Sequence, residues 1–93
     1  MAEMPIQRAM SLHQSGRLDE AADLYRQILR LNPSQFEAMY SLGMVQLQRG
    51  LPEEAQDLLG NALRLNPRFA EGWCARGIVL LQLRRREEAI VCL

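Results

Sequence analysis

Apolar residues recur at steps of three and four along most of the chain, as in Ala21, Tyr25 and Ile28, and again in Ala55, Leu59 and Ala62. That is the spacing of one face of an α-helix. No stretch alternates with period two for long enough to make a strand. The pattern predicts helices over about 5–14, 18–31, 36–48, 52–64, 70–82 and from about 86 to the end, with ends placed to roughly two to four residues.

Local chemistry agrees with these bounds. Gly16 and Gly50 each follow a helix, where a left-handed cap costs glycine nothing. Pro33 and Pro67 stop the second and fourth helices, and Pro52 opens the fourth. Ser34 and Glu37 have the spacing of a capping box at the start of the third. Two positions break the rules. Arg84 stands where the earlier turns have glycine, at a cost of about 1–2 kcal/mol if the cap were left-handed, so that turn is expected to be strained or built differently. Gly60 lies inside a helix at a cost of roughly 1 kcal/mol, which predicts close approach of a neighbouring helix.

A longer period lies over the helical one. Glu20-Ala21, Leu29-Arg30-Leu31-Asn32-Pro33 return 34 residues later as Glu54-Ala55, Leu63-Arg64-Leu65-Asn66-Pro67. Glu88-Ala89 begins a third copy on schedule. A fixed period of this length marks stacked helix–turn–helix units. The acids Asp19, Glu20, Glu53, Glu54, Glu87 and Glu88 share one address in the first turn of a helix, where the macrodipole favours them. Recurrence at one helical address favours that role over paired catalytic carboxylates.

Composition removes several classes of function. The formal net charge is zero, so no long-range field draws the chain to nucleic acid or an anionic bilayer. All 11 basic residues are Arg, a weak sign of a GC-rich bacterial source. Cys74 and Cys92 are not spaced as a metal or redox motif and read as small buried hydrophobes, which suits a reducing cytoplasm. The N-terminus lacks the pattern of a secretory signal, and the apolar run Ile78–Leu81 is too short to cross a bilayer. His13 is the only histidine, so no Cys/His metal set can form and neither metal nor cofactor is expected. No phosphate loop or nucleophile motif is present. Arg84-Arg85-Arg86 is the one basic cluster; placed on a turn beside Glu87 and Glu88, it reads as a solvated surface.

The recurrent residues resemble the tetratricopeptide repeat family: Leu42-Gly43, Ala55, Leu59, Ala62 and Pro67 in the middle unit, Ala9, Ala21, Tyr25, Ile28 and Pro33 in the first, and Trp73, Gly77 and Ala89 in the third. The resemblance implies an all-α, right-handed superhelical solenoid of antiparallel helix pairs. Residues 1–93 would form one domain of about two and a half repeats, over about 2–35, 36–69 and 70–93, the last truncated. It also implies a concave groove lined by the first helix of each repeat. The groove positions are Glu3, Ile6, Met10, His13 and Gln14; Glu37, Tyr40, Met44, Leu47 and Gln48; and Glu71, Cys74, Ile78, Leu81 and Gln82. An apolar strip with flexible methionines then runs between a row of Glu and a row of Gln, which suits a helix or extended peptide. The plainer reading is that the strip only covers adjacent helices. Carboxylate-gripping and Asn-ladder members of the family carry residues that are absent from the matching addresses here.

The expected function is that of a non-catalytic protein–protein interaction scaffold. The alternative is the docking or substrate-recognition arm of a larger bacterial glycosyl-, sulfo- or methyltransferase whose catalytic domain lies beyond Leu93. Ile90, Val91 and Leu93 crowd the chain's end without a polar capping helix. The chain is therefore expected to be a piece of a longer repeat protein and to form a homodimer through its open C-terminal end.

Overall fold

The computed structural model describes residues 5–92, with side chains as far as residue 87. Its helices are α1 (Pro5–Gln14), α2 (Leu18–Leu31), α3 (Phe36–Gln48), α4 (Pro52–Leu65) and α5 (Ala70–Cys92), and the described residues contain no strand. Helices α1 to α4 begin and end within one residue of the expected bounds. Consecutive helices pack against each other, and α1–α3 and α3–α5 also touch. That is the neighbour pattern of stacked helix pairs, in which each unit contacts only the next.

Both glycine turns are built alike. Gly16 and Gly50 each adopt φ +80°. The Gly16 N–H donates to the His13 carbonyl at 3.0 Å and the Arg17 N–H to Leu12 at 2.9 Å; Gly50 to Leu47 at 3.1 Å and Leu51 to Gln46 at 2.8 Å repeat the arrangement. These paired bonds satisfy carbonyls that the helix end would otherwise leave open. The Asn-Pro turns also match. The N–H of Asn32 bonds Ile28 and that of Asn66 bonds Ala62, both at 2.9 Å, before proline stops the helix. Helix α3 starts later than the capping box predicted: its cap is Gln35, with no side-chain hydrogen bond, so Ser34 does not cap it. A main-chain bond from Gln35 N–H to the Asn32 carbonyl shapes that turn instead.

The sixth helix is not separate. Residues 70–92 form one continuous helix through Arg84, so neither a strained turn nor a solvated turn exists at the arginine cluster. Arg84 has no inexpensive access to the left-handed conformation, and Leu83 through Ala89 are all good helix formers. Nothing local stops the helix there. Arg86 pairs with Glu53 of α4, holding the cluster against the preceding helix.

The core divides in two. Ala9, Ala21, Ala22, Tyr25, Ile28, Ala38, Leu42 and Val45 fill the space among α1, α2 and α3. Ala55 and Leu59 of α4 meet Ala75 and Val79 of α5 in the second. Close backbone approach occurs at Gly43, where a Cβ would sit 3.2 Å from Leu59 Cγ, and at Gly72, where it would sit 2.9 Å from Phe69 Cδ2. At Gly60 nothing lies within 4 Å of that position, which overturns the expectation of a close neighbour there. The buried Gln46 amide donates to Glu54 Oε2 at 2.6 Å and accepts from Arg49 at 2.9 Å. Arg49 also reaches Asp19 at 3.2 Å, so this polar chain links α2, α3 and α4.

Candidate functional site

Helices α1, α3 and α5 present their outward residues along one side, and two recesses open there. Met10, His13, Gln14, Tyr25, Tyr40, Ser41 and Met44 line one of about 220 Å³. Tyr40, Met44, Ala70, Glu71, Cys74, Ala75 and Ile78 line the other, of about 290 Å³. Tyr40 and Met44 belong to both, so α3 forms the ridge between them. Tyr40 is fixed by an edge-to-face contact with Phe69, with centroids 4.9 Å apart, and Phe69 meets Phe36 at 5.2 Å. Such aromatic contacts fix orientation beyond the area they bury.

Most of the expected groove residues converge here. Met10, Gln14, Glu71, Cys74 and Ile78 are exposed at the rims, while His13, Tyr40 and Met44 are half-buried. His13 Nε2 and Gln48 Oε1 lie 2.7 Å apart, a bond in which the imidazole N–H donates. It joins the end of α1 to the end of α3, so Gln48 is engaged within the fold rather than standing in an open amide row. Leu47 is half-buried against the α4–α5 core and serves packing. Glu37, Leu81 and Gln82 are exposed and line neither recess. Ile6 lies elsewhere, in an apolar cavity of about 300 Å³ with Pro5, Leu24, Gln27, Ile28 and Leu31. Glu3 falls outside the described residues.

Cys74 is free and exposed, contrary to the expectation of a buried hydrophobe; the side chain of Cys92 lies outside the described residues. On α5 the inward addresses belong to Ala75 and Val79, which leaves Cys74 turned to the recess. Two lining residues, Tyr25 and Ala70, escaped the sequence reading of the groove. So did Phe69, which has no counterpart at the 34-residue spacing, where Gln35 stands. Burial raises the pKa of the Tyr25 hydroxyl, and the nearby Ser41 side chain lowers it in part. Among the described residues, no group meets hydrogen-bond geometry with that hydroxyl.

Among the described residues, no cluster of three or more His, Cys, Asp or Glu could hold a metal ion, and no helix is long and apolar enough to cross a membrane.

A family model described as tetratricopeptide repeat matches residues 12–77. The chain belongs to the tetratricopeptide repeat family. No curated protein matches it. Among solved structures it is similar to the C-terminal TPR-containing domain of a Plasmodium falciparum protein described as FK506-binding, with a TM-score of 0.84 at 21% identity. The match covers 90% of this chain and 56% of that one, so this chain spans about half the length of its structural neighbour. At that identity the likeness shows the fold alone: a tetratricopeptide repeat solenoid. Repeats of this family typically act as non-catalytic scaffolds and generally bind other proteins.

Proposed function

We propose that the concave face of this tetratricopeptide repeat domain binds a peptide or helix that presents two apolar side chains, one to each recess. The observation that carries this reading is the pair of adjoining recesses sharing one aromatic-braced ridge at Tyr40 and Met44. Two apolar anchors on neighbouring turns are what an amphipathic segment offers a groove. Methionines at 10 and 44 let the walls adjust to the anchors. Glu71 at the second recess favours a basic residue beside the second anchor.

The test begins with peptides selected from a random display library on the wild-type chain, then titrated by fluorescence anisotropy against Met10→Glu and Met44→Glu. Each substitution should weaken binding by at least about tenfold, or about 1.4 kcal/mol, with helical circular dichroism unchanged. Wild-type affinity in both variants, or amide shifts confined to α2 and α4, would refute the reading.

A further inference from the structure

We infer that the outer face of α5 is an interface between two copies of this chain, formed by antiparallel pairing of α5 with itself. At 3.6 residues per turn, Trp73, Gly77, Leu80 and Arg84 fall within roughly 60° of one another on the helix. Ala75 and Val79 lie on the far side and pack into the α4 core, with Leu83 at its edge. Among the described residues no helix lies over the outer stripe, and Trp73 is 50% and Leu80 44% exposed. In a chain whose final turn closed like those at Gly16 and Gly50, a following helix would fold back over this stripe. The unbroken helix through Arg84 carries residues 85–92 away along the axis instead.

The spacing of the stripe identifies a second copy as the occupant. Steps of four, three and four residues read the same in both directions, as a two-fold antiparallel pair requires. With the axis between Gly77 and Leu80, each Leu80 faces Gly77 of the other copy, and each Arg84 faces the other Trp73. Open space surrounds the Gly77 Cβ position, so the leucine has a hole to enter. Trp73 is already held for contact. Its indole N–H donates to the Pro67 carbonyl at 2.7 Å, and Arg76 stacks over its ring at 5.8 Å. A large residue thus meets a small one, twice, with no other protein needed to supply the complement. The recesses between α1, α3 and α5 stay open in such a dimer, so it is independent of peptide binding.

One pair of helices buries less than the roughly 800 Å² per partner of a standard interface, so a weak, concentration-dependent dimer is expected. Sedimentation equilibrium of the 93-residue chain between about 1 and 300 µM should therefore span monomer to dimer. Leu80→Glu should weaken the dimer more than about tenfold while leaving the helical spectrum intact. Gly77→Ile separates a fitted seam from general stickiness. It fills the hole that the partner's Leu80 enters, so the dimer should weaken although the face becomes more apolar. A wild-type monomer at the highest concentration would leave the face to another protein and overturn the proposal. So would a dimer indifferent to Leu80→Glu, or one tightened by Gly77→Ile.

Discussion

Gly43 and Gly60 occupy interior positions of adjacent helices, and replacing each with alanine should move stability in opposite directions. In a helix interior, alanine is favoured over glycine by about 0.8–1 kcal/mol. At position 60 the new methyl meets nothing within 4 Å, so the full gain should appear. For a domain of this size that is a rise in Tm of roughly 3–8 °C. At position 43 the same methyl would stand 3.2 Å from Leu59 Cγ and 3.4 Å from Cδ2. Leu59 is fully buried in the α4–α5 core and cannot swing aside without disturbing Ala75 and Val79. Overpacking of this kind costs about 1–3 kcal/mol, which cancels the helical gain and leaves a net loss of up to about 2 kcal/mol. Thermal melts followed at 222 nm at one low protein concentration would measure both, with self-association held constant. If Gly43→Ala raised Tm as much as Gly60→Ala, the close approach of α3 and α4 at Gly43 would not be a constraint.

Among the described residues the buried hydroxyl of Tyr25 has no partner in good hydrogen-bond geometry, Ser41 being the one side chain that acts on it, so Tyr25→Phe should hold or raise stability by up to about 1 kcal/mol in urea titrations; a loss above that would show that the hydroxyl is paired with Ser41. The pKa of Tyr25 is raised in the folded chain. The unfolded chain then loses its proton first, so wild-type stability should fall as pH rises above about 10, and Tyr25→Phe should remove part of that slope. The Gln46 amide bonds two side chains that can also reach water, Glu54 and Arg49. Gln46→Leu should therefore cost under about 1 kcal/mol, whereas Gln46→Ala, which also leaves a cavity, should cost about 2 kcal/mol or more by urea unfolding.

The repeated segments were legible from the sequence because their information is local. Gly16, Gly50, Asn32-Pro33 and Asn66-Pro67 each act on their own backbone, through a left-handed cap or a missing N–H, so bounds read from them agree with the structure. The groove was legible to the extent that it follows the period: Met10, His13, Tyr40, Met44, Cys74 and Ile78 do meet in two recesses. Tertiary contacts decided the rest. Phe69 sits outside the repeat register, so only the packing of α3 against the loop before α5 shows that it braces Tyr40. Ile6 shares the 34-residue register of Tyr40 and Cys74 yet opens on another cavity, lined by Leu24, Gln27, Ile28 and Leu31 of α2. At Arg84 the sequence supplied a missing glycine without saying what replaces the turn. The choice between a distorted turn and an unbroken helix depends on whether a fold-back contact outweighs continued hydrogen bonding along α5, a comparison between distant groups that no local pattern encodes.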